Sequence, residues 1–168
     1  AYFRFILKNT EQIKSKQTSL LQRLIRRSIH IKKSLILEDE LDKGKRQLLN
    51  YGHTFGHALE TAGDYVRLHH GEAVGLGMLM ALKASSILKV LEDDYSDALM
   101  QIFKDFNLPV RFPADLTGKQ IINALCQDKK KNQDGYKFIL PVRLGLVKEF
   151  RVKPDQINTL IEKITNNF

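Results

Sequence analysis

Between Glu72 and Leu91 the chain carries its longest apolar stretch of helical length, EAVGLGMLMALKASSILKVL. A helix that is apolar nearly all round must be wrapped by other elements, so this segment is the expected centre of the domain. Gly75 and Gly77 interrupt it. Each glycine costs about 1 kcal/mol against alanine inside a helix, and its expected use here is to let another backbone come close. A dinucleotide fingerprint would need a third glycine where Met80 stands and a strand in front, and the sequence offers neither.

The flanking sequence is also mostly of helical period. The opening AYFRFILKNTEQ reads as part of a helix already under way. Over residues 17–37, Leu20, Leu21, Leu24, Ile25, Ile29 and Leu35 fall near helical spacing, with RR and KK on the opposite face. The polar EDELDKGKR (38–46) interrupts as a turn, a second helix is expected from about 46 to 62, and Gly63 ends it. Ser96 is the expected cap of a helix to Phe106 with Leu99, Ile102, Phe103 and Phe106 inward. NLPVRFP (107–113) is a connector, and Thr117 and Gln120 have capping-box spacing for the helix holding Ile121, Ile122 and Leu125. YKFILPVRLGLVKEFRV (136–152) changes to strand chemistry and predicts a hairpin turning near Arg143–Gly145. Pro154 is the expected first residue of a closing helix with Ile157, Leu160, Ile161 and Ile164 inward. The expectation is a mainly α fold with one small β-hairpin, a single domain over 1–168. Without alternating strands and helices the chain holds no Rossmann-type sheet of its own.

Composition narrows the classes. At 168 residues, 43% of them apolar, the chain can bury a real core. No apolar run reaches the roughly 18 residues that cross a bilayer. One cysteine, Cys126, excludes an internal disulfide and suggests a reducing, cytoplasmic setting. A net charge of +8 suits nucleic acid, an acidic membrane surface or a small anionic substrate. The clusters RLIRR (23–27), DKGKR (42–46) and DKKK (128–131) have little aromatic interleaving, and there is no tryptophan, so neither nucleic acid nor membrane is the expected partner.

The densest chemistry lies in NYGHTFGHALETAGDYVRLHHGE (50–72), which holds four of the five histidines. His53 and His57 are four residues apart, so on a helix both imidazoles point to one side and could serve one metal ion. No glutamate follows the first histidine, so H-E-x-x-H hydrolysis is not indicated. Glu60 could be a ligand, a partner to a ligand or a solvated charge. His69, His70 and Glu72 follow a turn, with Gly71 expected to allow a tight bend, so two helix ends converge on one point. His30 reads as a structural or surface residue of the basic helix.

DELDKGKRQLLNYGHTFGHALE (39–60) followed by HGEAVGLGM (70–78) resembles the C-terminal half of 3-dehydroquinate synthase. The resemblance runs from about Ile31 to Gly145 and is densest over 32–83. It implies a metal-dependent, NAD-using enzyme that converts 3-deoxy-D-arabino-heptulosonate 7-phosphate to 3-dehydroquinate and phosphate in aromatic amino acid biosynthesis. The metal is zinc or another divalent ion such as cobalt. By the same resemblance His53 and His70 are metal ligands, His57 meets the substrate near its phosphate, and Lys32 is a substrate-binding lysine within the catalytic set. Arg46 and Asn50 bind substrate, as does Lys129 or Lys130, between which the resemblance does not choose. The implied partners are a small phosphorylated anion and, in the whole enzyme, a second copy in a homodimer.

Two features of the family are not found here: its N-terminal α/β domain, which binds NAD, and the third metal ligand, a glutamate expected just upstream of AYFRFILKN. The chain alone is therefore expected to be inactive. Alternatives remain: another sugar-phosphate cyclase, a metal-dependent polyol dehydrogenase, or a non-catalytic helical module binding through its basic surface.

Overall fold

The computed structural model describes residues 2–41, 43–113, 115–127 and 135–166. Among them are eight α-helices, a 3-10 turn and one two-stranded sheet. In chain order these are α1 (Tyr2–Lys8), α2 (Thr10–Lys14), α3 (Thr18–Glu38), the 3-10 turn Lys45–Asn50, α4 (His53–Ala62) and α5 (His70–Ile87). Then come α6 (Ser96–Asp105), α7 (Gly118–Gln127), β1 (Tyr136–Arg143), β2 (Leu146–Val152) and α8 (Ile157–Thr165). The expected mainly helical fold with one hairpin is the one observed. No described helix is long and apolar enough to cross a membrane.

Helix α5 is central because it is buried on two sides. Leu76, Met80 and Ala84 enter one cluster with Phe55 and Leu59 of α4, Ile121 of α7, Phe138 and Leu140 of β1, and Ile161 of α8. Leu79 and Leu82 enter a second cluster with Leu99, Ile102 and Phe103 of α6, against which Phe3, Ile6 and Leu7 of α1 pack. Each fully buried leucine side chain contributes roughly 1.5–3 kcal/mol over leaving it in water. Phe55 and Phe138 stack with ring centroids 4.7 Å apart, joining α4 to the hairpin.

The glycines of α5 differ in use. A Cβ on Gly77 would lie 2.1 Å from the Gly52 carbonyl oxygen, whereas one on Gly75 would only touch the Phe103 ring at 3.4 Å. Close approach of backbones is thus real at Gly77. Gly52 itself has φ of 82°, and that left-handed residue splits the helix expected over 46–62 into the 3-10 turn and α4.

Several boundaries differ from expectation. Gly71 makes no bend: α5 already starts at His70, and the reversal is made by Asp64 and Tyr65 at φ of 53° and 58°. Ser96 is the first helical residue of α6 and not its cap, a place taken by Tyr95, and the Ser96 amide donates to the Asp94 carboxylate at 2.9 Å. Pro154 lies in a turn closed by the Gln156 amide on the Lys153 carbonyl at 3.0 Å, so α8 starts only at Ile157. The Thr117–Gln120 cap is present, with the Thr117 amide donating to Gln120 Oε1 at 2.8 Å and the Gln120 amide to Thr117 Oγ1 at 3.3 Å. The hairpin turns at Gly145, φ 87°, within the expected span. Helix α3 forms where its period places it, yet its expected inward residues Ile25 and Ile29 are 57% and 60% exposed.

Candidate metal and substrate site

Helices α4 and α5 meet through small residues. Besides the Gly52–Gly77 contact, a Cβ on Gly56 would lie 3.0 Å from Val74 Cα. Tyr51 secures the crossing by donating its hydroxyl to the Met78 carbonyl at 3.1 Å. Burial, together with neighbouring Tyr95, pushes that phenol far above its usual range, so it is a fixed donor and no acid at neutral pH.

On α4, His53, His57 and Glu60 share a side because they are spaced by four and three residues. His70 opens α5, whose first turn is fixed by Glu72 Oε2 accepting the His69 amide at 2.8 Å. The ring centroids of His53, His57 and His70 form a near-equilateral triangle, with separations of 5.8, 5.7 and 5.7 Å. Below them lies Glu60. Its Oε2 is 2.9 Å from His57 Nδ1 and its Oε1 is 2.9 Å from His70 Nδ1.

The carboxylate side chain is 9% exposed, while those of His57 and His70 are 60% and 59% exposed. A carboxylate has only lone pairs to offer, so each Nδ1 carries the proton and each Nε2 lone pair is left free. Burial pushes the Glu60 carboxyl up, but the hydrogen bonds it accepts from His57 and His70 outweigh this and hold it below its ordinary value. His53 is turned by a longer contact, Nδ1 to the Tyr51 carbonyl at 3.4 Å. One buried carboxylate therefore orients two imidazoles, the usual arrangement around histidine metal ligands.

His53 and His70, the ligands implied by the sequence, are thus adjacent, and His57 is as close. Among the described residues, the group of three whose donor atoms lie within 4.8 Å of one another is His57, Glu60 and His70. Glu60 hydrogen-bonds both rings and is itself one of the three donors in that group, so its readings as partner and as ligand both stand.

The anion-binding candidates lie on neighbouring elements. Lys32 is exposed on α3, which packs against the 3-10 turn. Arg46 is half-buried in that turn and donates from Nη1 to the Glu40 carbonyl at 3.0 Å, and Asn50 ends the turn exposed. No described hydrogen bond or ion pair joins Lys32 or Asn50 to the histidines. Lys129 and Lys130 lie outside the described residues.

Asp39 was not singled out from the sequence. Its carboxylate accepts the backbone amides of Lys43, Gly44 and Arg46 at 3.0, 2.7 and 3.1 Å, folding the loop that delivers Arg46. A carboxylate five residues before a glycine in EDELDKGKR was the available signal.

A sequence model of the family described as 3-dehydroquinate synthase C-terminal matches residues 1–131. A 3-dehydroquinate synthase of Dehalococcoides mccartyi (strain CBDB1) is 36% identical over 162 residues, covering 95% of this chain and 45% of the relative. One from Thermodesulfovibrio yellowstonii is 31% identical over 96% of this chain and 45% of its own length. The chain therefore spans less than half the length of these curated relatives.

Among solved structures, 2-epi-5-epi-valiolone synthase from Streptomyces hygroscopicus subsp. jinggangensis 5008, with NAD+ and Zn2+ bound, superposes with a TM-score of 0.78 at 20% identity. The match covers 99% of this chain and 45% of that one, and shows the fold. A 2-deoxy-scyllo-inosose synthase complexed with carbaglucose-6-phosphate, NAD+ and Co2+ gives 0.72 at 25% identity, covering 85% and 42%. By the family match over most of its length, and by a histidine cluster carried on that shared fold, this chain belongs to the 3-dehydroquinate synthase C-terminal family.

Proposed function

We propose that this chain is the metal- and substrate-binding part of a 3-dehydroquinate synthase, which converts 3-deoxy-D-arabino-heptulosonate 7-phosphate to 3-dehydroquinate and phosphate. The observation that carries the reading is the meeting of His53, His57 and His70 over the buried Glu60 carboxylate. His53 and His70 would hold a divalent cation, zinc or cobalt, with the family's glutamate as third ligand. The donor set fits such an ion: neutral imidazoles, with the Nδ1–H groups of His57 and His70 given to Glu60 and their Nε2 lone pairs unengaged. The inosose synthase structure with NAD+ and Co2+ supports assigning the same two cofactor classes here. When bound, NAD would take and return a hydride while the cation polarised the reacting oxygen of the substrate.

The remaining work falls to side chains of the chain itself. His57 would meet the phosphate: when protonated it keeps its Nδ1–H on Glu60 and donates Nε2–H to a phosphate oxygen, a charge-assisted bond. Arg46 offers a planar fork and Lys32 a point charge to the substrate's carboxylate and phosphate, with Asn50 a neutral donor beside them. One of Lys129 and Lys130 would add a further cation. The described residues contain a single antiparallel hairpin and no parallel-strand crevice for a dinucleotide. The chain alone is therefore inferred to bind metal and substrate groups without turnover.

Elemental analysis of the purified chain and of its His53→Ala and His70→Ala variants tests the metal reading. Zinc or cobalt retained at full stoichiometry in both variants would sink it. Phosphate release from the heptulosonate phosphate by the complete protein tests the reaction. Release from another sugar phosphate instead would favour a different sugar-phosphate cyclase, the reading that the fold neighbours suggest.

A further inference from the structure

The hairpin lies beyond the segment that the family model matches, yet it grips the site from two sides. Both grips come from Lys137, the second residue of β1. Its backbone carbonyl accepts the Thr54 hydroxyl at 3.3 Å, one residue past His53. Its ammonium donates to Oε1 of Gln47, the residue after Arg46. The same ammonium pairs with Glu149 Oε2 at 3.1 Å. Glu149 faces Ile139 across the ladder and is thus a diagonal neighbour of Lys137, and its other oxygen lies 3.5 Å from Arg151 Nε. The Lys137 side chain is 35% exposed, so its charge is partly shielded and its acceptors are fixed.

Polar ties near the 3-10 turn also run back to the end of α3 and the loop after it. Among them are Lys45 to Glu38, the Arg46 guanidinium to the Glu40 carbonyl, and the Asp39 carboxylate under the Lys43, Gly44 and Arg46 amides. The hairpin, by contrast, is seated on α4 through Thr54 and the Phe55–Phe138 stack. Lys137 thus links the turn bearing Arg46 and Asn50 to the helix bearing His53 and His57. We propose that Lys137 is a positioning residue, which sets the spacing between the anion-binding turn and the histidine cluster. This rests on the proposed function, in which the turn holds the substrate's charged groups and the histidines hold the metal and phosphate. A substrate gripped at both places needs that spacing fixed, since a misplacement of about 1 Å can cost about a hundredfold in rate.

The test uses the protein expressed from its complete reading frame, supplied with NAD and zinc, comparing Lys137→Met and Lys137→Arg with the unmodified protein. Phosphate release from the heptulosonate phosphate is followed together with zinc content and thermal midpoint. The expected result is a KM raised by about tenfold or more in Lys137→Met with zinc content unchanged. Lys137→Arg, which still reaches Gln47 and Glu149, recovers most of the loss. An unchanged KM in Lys137→Met, with only the thermal midpoint lowered, overturns the positioning role. A KM equally raised in Lys137→Arg also overturns it. Absence of turnover in the unmodified protein overturns the functional reading itself, and the positioning role with it.

Discussion

Gly52 and Gly77 meet backbone to backbone: a Cβ on Gly77 would fall 2.1 Å from the Gly52 carbonyl oxygen and 2.7 Å from the Gly56 nitrogen. This contact sets how closely α4 approaches α5, and therefore where His53 and His57 stand relative to His70. Gly77→Ala should destabilise the chain by about 3 kcal/mol or more, because both facing atoms are backbone and cannot rotate away. Gly71→Ala is the control: it is helical, and no atom comes within 4 Å of its Cβ position. It should stabilise by a few tenths to about 1 kcal/mol. Thermal midpoints decide, at about 2–4 °C per kcal/mol for a chain of this size. Equal effects of the two substitutions would refute the close contact.

Glu60 should matter to metal binding without being a ligand. Glu60→Gln keeps the size but offers one oxygen where His57 and His70 now each have their own. Zinc affinity measured by competition with a chelator should fall about 10- to 100-fold. An affinity unchanged within twofold would mean that the two hydrogen bonds do not orient the ligands.

The three histidines should separate by role. His53→Ala and His70→Ala should lose zinc, whereas His57→Ala should keep it and lose affinity for inorganic phosphate. If His57→Ala also releases the metal, then His57 belongs to the ligand set, as its grouping with Glu60 and His70 would allow.

Asp39 gives the loop before Arg46 a pH dependence. The Lys43 amide lowers its pKa most, burial opposes this, and the Gly44 and Arg46 amides and the Arg46 charge lower it further, so the net value lies below the ordinary 3.8. A carboxyl depressed in the folded chain stabilises it fully above the unfolded value, and that contribution is lost as pH falls through the folded value. The Lys43, Gly44 and Arg46 amides should therefore stay ordered at pH 5 and lose order only below about pH 3.8. Their chemical shifts followed down in pH check this, and Asp39→Asn should loosen them at every pH. Amides that loosen already near pH 5 would contradict the depressed value.

The sequence alone determined most of the helical segments, where the hairpin turns, and that His53 and His57 share one side of a helix, but not the break at Gly52. These depend on local terms: apolar spacing, the Thr117–Gln120 cap, the strand chemistry of 136–152. Local period gives a side chain's direction about its own axis and nothing about what stands opposite. It predicted an apolar face on α3, and in this structure nothing among the described residues buries Ile25 or Ile29. It gave Glu60 three possible uses, and only the crossing of α4 over α5 placed His57 and His70 on its two oxygens. The reach of Lys137 to Gln47, across 90 residues, has no signal in spacing at all. Such contacts depend on how closely helices and hairpin pack, and here that closeness comes from two glycine backbones meeting in space, a relation that no single stretch of sequence contains.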